Sequence, residues 1–353
     1  MNRLDAITDA LGAKGIDGII VSDLTNVRYL SGFRGSSACL LVTRKARLFF
    51  TDFRYEEQAK KQIRGFEILI EKEPRPQLLM EKARSLGLRT VGFEASASYE
   101  FYRSLLRKGS RIRAVTNLVE DLRRVKDAYE TVLIGRAIDR AEKAFTEVLP
   151  NIKKGATELQ IAARLEEGLR KNGCVSLPFD IIVAAGANSS MPHARPTHNR
   201  IKAGDLVVID WGGEAEGYFS DMTRTFLMHG SGIAKKKEIY ETVLEANMAA
   251  IEAVKDGVRA RAIDRTARDV IKAAGYADFF GHGTGHGVGL NVHELPRISR
   301  LGRESVKTAM VFTIEPGIYL PGTGGVRIED MVLAGKRGCT VLTSLRKELE
   351  ILQ

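Results

Sequence analysis

The sequence predicts two domains, an α/β unit over residues 1–122 and an α+β unit over residues 123–353 that contains an internal pseudo-duplication. Three features lead there. Helix-like and strand-like segments alternate through the first third. Near residue 122 the pattern changes to long amphipathic helices mixed with antiparallel hairpins. Finally, an apolar strand that ends in a carboxylate, with glycine two positions on, occurs twice.

In the first third, Leu4 to Lys14 has helical apolar spacing and Asp17 to Ser22 reads as a buried strand. Ala38 to Phe50 reads as two strands around Thr43-Arg44-Lys45-Ala46. From Val119 to Asp127 the chain becomes polar and charged, which sets the boundary. Asp127 and Glu130 then form a D-x-x-E capping box ahead of a helix with the stripe Ile134, Ile138, Ala141, Phe145 and Val148. Thr157 and Gln160 repeat the device before Ile161, Leu165 and Leu169. Two more helices are predicted, one from Ile239, Val243, Ala246, Ala250 and Val254, the other from Ile263, Ala267, Val270 and Ala274. Strands are predicted at Phe179–Ala184, Asp205–Asp210, Tyr218–Leu227, Met310–Ile314 and Val326–Leu333.

A chain of 353 residues with 44% hydrophobic and 28% charged content can fill two cores. Met1 to Ala10 carries Asp5 and Asp9 and no apolar stretch of signal-peptide length. No run of about 18 apolar residues occurs, so a cytoplasmic protein without a membrane partner is expected. Cys39, Cys174 and Cys339 are far apart in sequence and form no CxxC pair, which suggests neither a disulfide framework nor a thiolate zinc site. Of the formal charge of +10, +8 falls in residues 1–125 and +2 in the remainder. The excess is scattered and not interleaved with aromatics, so it is read as solvated surface, with no nucleic-acid partner.

The repeated pattern is Leu206 to Gly212, echoed by Met310 to Gly317. Each continues through a turn into a strand with another carboxylate, Asp221-Met222 in the first case and Glu329-Asp330-Met331 in the second. In a simple hairpin, opposed residues are equidistant from the turn. Asp210 and Asp221 then centre on Ala215/Glu216, and Glu315 and Glu329 centre on Gly322, which places each pair face to face. Opposed Cβ atoms lie about 4.5–5.5 Å apart, where like charges are destabilising. Either one carboxyl of each pair stays protonated, or a cation sits between them. Four carboxylates would balance two divalent ions, and oxygen ligands with one imidazole suit Mn²⁺, with Co²⁺ or Zn²⁺ as alternatives. Two solvent-exposed acidic hairpins are the competing reading, because a bulge or slip would turn the side chains to opposite faces.

Five of the six histidines fall in two stretches. One is His193 and His198 in Pro192-His193-Ala194-Arg195-Pro196-Thr197-His198; the other is His282, His286 and His293 in and after Gly281-His282-Gly283-Thr284-Gly285-His286-Gly287-Val288-Gly289. Such clustering favours chemistry over scattered structural imidazoles. His198 and His229 are read as surface or structural. Trp211, the sole tryptophan, is read as packing beside the site, and Thr223, which shares a strand face with Asp221, as a hydrogen-bond partner of a carboxylate.

Taken together, these residues resemble the pita-bread metallopeptidases, the M24 family of methionine aminopeptidase, aminopeptidase P and prolidase. The motifs are D-W-G-G with a second Asp eleven residues after the first, H-G-T-G-H-G-V-G-L, V-H-E, T-I-E-P-G and V-R-I-E-D, spread over Lys126 to the end. The resemblance implies Asp210, Asp221, His286, Glu315 and Glu329 as ligands of two divalent metal ions. It assigns His193, His282 and His293 to the substrate and transition-state surroundings, with Glu315 also handling a proton and Arg327 beside the carboxylates. Asn26 to Phe33 and Arg124-Val125-Lys126-Asp127 resemble the creatinase-type N-terminal domain of the proline-specific branch. The implied architecture is thus an α/β creatinase-like domain followed by an α+β pita-bread catalytic domain.

The implied activity is hydrolysis of Xaa-Pro bonds by a hydroxide bridging the two ions. The substrates would be small peptides with proline second, and the assembly a homodimer. Proline lacks an N–H and has a fixed φ, so such bonds need a dedicated pocket. H-G-T-G-H-G leans toward aminopeptidase P, with the dipeptide-cleaving prolidase as the alternative. A non-catalytic pita-bread binding protein is the remaining class, disfavoured because no ligand position is lost.

Overall fold

The computed structural model describes residues 3–106 and 111–353. The chain divides into two compact units, Met1–Arg123 and Arg124–Gln353. Among the described residues, no helix is long and apolar enough to cross a membrane.

The first unit is a six-stranded mixed sheet with helices. Its strands are β1 (Gly18–Val21), β2 (Cys39–Thr43), β3 (Arg47–Thr51), β4 (Glu67–Ile70), β5 (Thr90–Glu94) and β6 (Arg111–Val115), in the order β4-β3-β2-β1-β5-β6. Its longer helices are α1 (Arg3–Ala13), α2 (Leu24–Ser31), α3 (Glu56–Gln62), α4 (Arg75–Ser85) and α5 (Tyr99–Leu106). The Asn26 to Phe33 motif lies mostly in α2, which Asp23 caps at the start and Gly32 ends in a left-handed conformation, φ 78°. Buried Asn26 donates to Glu94 and to Glu120 at 2.7 Å each and accepts from Arg123 at 2.7 Å, so the motif holds this unit together. Burial pushes the Glu94 carboxyl up to about 7, against backbone hydrogen bonds from Asp23 and Ser22 that favour its charged form.

The first unit ends in the short α6 (Glu120–Arg123), and the second begins with α7 (Ala128–Val148) and α8 (Glu158–Lys171). Both expected capping boxes are present, from Asp127/Glu130 and Thr157/Gln160. Four strands order as β19-β11-β8-β7, from β7 (Ile182–Ala185), β8 (Leu206–Trp211), β11 (Met222–Met228) and β19 (Ile351–Leu352). The short ribbon β9 (Glu214–Ala215) and β10 (Tyr218–Phe219) lies between β8 and β11 in sequence. Five more strands order as β13-β12-β14-β17-β18: β12 (Gly285–Gly287), β13 (Glu294–Ile298), β14 (Val311–Ile314), β17 (Asp330–Ala334) and β18 (Cys339–Val341). The hairpin β15 (Gly317–Leu320) and β16 (Gly324–Arg327) joins β14 to β17. Helices α9 (Ala234–Glu252) and α10 (Ala260–Ala273) bury Ile239, Val243, Ile263 and Ile271 in one cluster with Phe312, Ile314, Ile328 and Val332. Trp211 is fully buried, stacks on Phe145 at 4.2 Å and donates to the Ala141 carbonyl at 3.1 Å. Next to it, Gly213 passes so close to the Ala137 carbonyl that a Cβ would overlap it, which explains a glycine there.

The duplicated half-units are the β8–β11 and β14–β17 hairpins. The second has the expected register: Ile314 faces Asp330 and Gly317 faces Arg327, so Glu315 and Glu329 lie opposite each other between the two ladders, centred on Gly322. The first does not. Asp210 faces Thr223 and Trp211 faces Met222, so Asp221 is not opposite Asp210. The reason is the turn. Ala215 pairs with Tyr218, and Glu216 and Gly217 both take positive φ, 50° and 81°, as a two-residue type I′ loop requires. The centre therefore moves to between Glu216 and Gly217. The displacement is an even two residues, so Asp221 stays on the face of Asp210 as its diagonal neighbour.

Candidate metal centre

Asp210 is the penultimate residue of β8, Asp221 precedes β11, Glu315 follows β14, and Glu329 precedes β17. The two hairpins are tied to each other. The Glu329 amide donates to the Thr223 carbonyl at 3.1 Å, and Arg224 donates to the Glu329 carbonyl at 2.6 Å while pairing with Asp330 at 2.9 Å. His286 arrives from β12, where the register shifts between His286 and Gly287 and Gly285 lies hard against the Thr313 carbonyl.

Ligand-type atoms of Asp221, His286 and Glu329 lie within 4.8 Å of one another. His286 Nε2 is 3.6 Å from Asp221 Oδ2 and 3.5 Å from Glu315 Oε1. Arg327 holds Asp210 Oδ2 at 2.7 Å, whereas Asp210 Oδ1 is buried with no hydrogen-bond partner. All five residues thus converge. His286 Nδ1 sits 3.2 Å from the Gly287 carbonyl, which fixes the proton on Nδ1 and turns the Nε2 lone pair toward the carboxylates. Burial also lowers its pKa, favouring neutral imidazole.

Burial and then repulsion from Glu329, Asp210 and Glu315 hold the Asp221 carboxyl well above the usual range. Glu329 is raised well above its usual value by burial, then by Glu315 and Asp210, and Glu315 is raised mainly by burial. Such a cluster either retains protons or carries compensating cations. Crowded carboxylates, an orphaned Asp210 oxygen and an imidazole lone pair aimed inward fit divalent metal ions.

Around this cluster runs a hydrogen-bond chain. Thr223 donates to Glu329 at 2.7 Å and accepts from Arg327 Nε at 3.0 Å. Arg327 also donates to Tyr319 Oη at 2.9 Å, and Tyr319 meets His282 Nε2 at 2.9 Å. With Nδ1 at 2.8 Å from the Gly283 carbonyl, His282 carries its proton there and accepts from Tyr319 at Nε2. Burial lowers its pKa, and Nδ1 is 3.9 Å from Glu315. Arg327 is buried; although burial opposes its charge, Tyr319 and Asp210 hold its pKa well above the usual value. It positions Asp210 and does not face solvent. His293 is open to solvent on one side, with its ring 4.2 Å from that of His286, and partial desolvation of the ring, then His286, lowers its pKa to about 4. His193 is exposed and near enough to influence both His282 and His293, whereas His198 and His229 are exposed and join none of these contacts.

Three contributors were not anticipated. Tyr319 could have been: with the hairpin centred on Gly322, it is the diagonal, same-face neighbour of Arg327. Lys126 and Glu294 form a buried ion pair at 3.0 Å, with Glu294 also accepting from the Asn291 amide at 3.0 Å, so the carboxylate of V-H-E anchors the His293 loop. The third is a clasp. Asp264 accepts from Thr284 at 2.8 Å and pairs with Arg268 at 2.8 Å, while Arg268 donates to the carbonyls of Phe280, at 2.9 Å, and His282. Arg268→Ala strands a buried carboxylate and is expected to cost about 3 kcal/mol of stability. Equilibrium denaturation should register that loss, and Asp264→Asn in the Arg268→Ala background should recover part of it.

Residues 132–336 match the model of metallopeptidase family M24, and residues 3–125 match the creatinase/prolidase N-terminal domain. The chain belongs to metallopeptidase family M24. An Xaa-Pro dipeptidase of Pyrococcus horikoshii is 37% identical over 98% of this chain and 98% of its own. Among solved structures, an Xaa-Pro dipeptidase from Bacillus anthracis superposes with a TM-score of 0.97 at 37% identity, covering 99% of each chain. An X-Pro aminopeptidase from Thermotoga maritima gives 0.89 at 35% identity over 100% of both. The creatinase-type domain followed by the M24 pita-bread domain is therefore the architecture of this chain.

Proposed function

We propose that this M24 chain is an Xaa-Pro dipeptidase that uses two divalent ions held by Asp210, Asp221, His286, Glu315 and Glu329. That it is an Xaa-Pro metallopeptidase, of prolidase or aminopeptidase P type, follows from its family and full-length relatives. The observation that carries the metal assignment is the convergence of Asp221, His286 and Glu329 within 4.8 Å beside the unpartnered oxygen of Asp210. Manganese is the proposed ion, with cobalt or zinc as alternatives, and a homodimer the proposed assembly. When bound, the ions supply Lewis acidity that activates water and polarises the scissile carbonyl.

The chain's own groups do the rest. Glu315, its carboxyl raised by burial, takes the proton of the attacking water and returns it to the proline nitrogen. Arg327, fixed by Tyr319 and Thr223, keeps Asp210 in place. His293 and His193, both exposed, are positioned to hold the substrate and to stabilise charge developing on the carbonyl oxygen.

The choice of dipeptidase is supported by the 0.97 TM-score to the Bacillus anthracis dipeptidase. The aminopeptidase reading keeps support from the H-G-T-G-H-G motif and from the Thermotoga maritima structure. After chelation and Mn²⁺ readdition, Ala-Pro is expected to show kcat/KM about tenfold or more above that of Ala-Pro-Ala, a difference of roughly 1.4 kcal/mol. The reverse order would make the chain an aminopeptidase.

A further inference from the structure

We propose that the concavity along one face of α10 binds a small organic anion with an apolar body. The cavity measures about 600 Å³, within the range of ligand pockets. Arg261, Arg265, Arg268 and Lys272 line it at helical spacing, and Arg300 closes it from a turn outside the helix. Its apolar wall comes from Ala262, Ile271, Ala277 and Phe280. Arg268 is already committed to Asp264 and lies 4.2 Å over the Phe280 ring, so that wall is rigidly built.

The other four cations are exposed, and none of their side chains makes a hydrogen bond or ion pair with the described residues. Two acids line the cavity. Asp264 is buried and occupied by Arg268 and Thr284, which leaves Asp269 as the one exposed counter-charge there. The general charge excess of the chain does not explain this: it lies in residues 1–125, whereas residues 126–353 carry only +2. A solvated helix face would present its cations on a convex surface. Here they rim a concavity with an apolar wall, where field lines are focused and an anionic ligand gains most. The pocket shares Arg268 with the segment that carries His282, but none of the proposed metal ligands lines it.

Naphthalene-1,5-disulfonate is a suitable probe, because it joins an apolar body to two sulfonates and chelates manganese poorly. Calorimetric titration of the manganese-loaded protein is expected to show one saturable site. Arg265→Ala with Arg300→Ala should weaken it about tenfold, roughly 1.4 kcal/mol. Ala277→Trp, which fills the cavity without changing charge, should abolish it, and both variants should still hydrolyse Ala-Pro, which shows that they fold. Undiminished affinity in either variant, or no saturable binding to the parent protein at millimolar probe, overturns the proposal.

Discussion

Asp221→Asn is expected to reduce kcat/KM for an Xaa-Pro dipeptide by about a thousandfold, equivalent to roughly 4 kcal/mol, and at the same time to stabilise the metal-free protein. The substitution preserves shape and deletes one charge. Asp221 is one of the three residues whose ligand atoms lie within 4.8 Å, so losing its oxyanion should lower bound metal measurably in elemental analysis. The opposite effect on the empty site has the same origin. Burial and the charges of Glu329, Asp210 and Glu315 push the Asp221 carboxyl upward, so without metal it is a source of repulsion. An amide removes that repulsion. A gain of about 1 kcal/mol would raise the unfolding midpoint of a unit this size by about 2–4 °C. A merely structural aspartate would not behave this way: its loss would lower stability with or without metal. Activity within tenfold of the parent, or unchanged metal content, would sink the assignment.

What the sequence disclosed depended on how local each signal was. The capping boxes Asp127/Glu130 and Thr157/Gln160 are defined within four residues and appear as expected. The Glu315/Glu329 hairpin could be centred because Pro321 to Gly325 offers a single turn. The Asp210/Asp221 pairing differs from the expected one by two positions because the turn centres on Glu216-Gly217, one residue later than Ala215/Glu216. The cluster survives that displacement only because side chains alternate with period two. Lys126 with Glu294, and Asp264 with Thr284, join residues 168 and 20 positions apart. No periodicity encodes such pairs. They depend on how α10 and the glycine-rich segment meet, which only the folded chain defines.

Metal removal should abolish hydrolysis and leave a protein whose acidic cluster costs stability as pH rises above the ordinary carboxylate values. The ordinary values are 3.8 for Asp221 and 4.5 for Glu315 and Glu329, and all three are raised in the fold. Between the ordinary and raised values, the folded protein holds protons that the unfolded chain has released. Stability is therefore present at low pH and lost as pH climbs through the raised values, by about 1.4 kcal/mol per proton per pH unit. His282, His286 and His293 act in the opposite sense below 6.5, because burial lowers their pKa, in His293 to about 4. There the unfolded chain binds the extra protons, so the histidines oppose the carboxylates below 6.5 and contribute nothing above it. Glu94, raised to about 7 by burial, contributes the carboxylate sense in the N-terminal unit whether or not metal is present. The difference in unfolding midpoint between Mn²⁺-loaded and chelated protein cancels it. That difference should widen as pH rises above the ordinary carboxylate values, since bound cations neutralise the repulsion that deprotonation creates, and ions at a hundredfold excess over Kd add about 2.7 kcal/mol per site. In Asp221→Asn the widening should shrink, because one of the carboxylates that drives it has gone; a gap independent of pH in both proteins would mean that the acidic cluster is not where the ions bind.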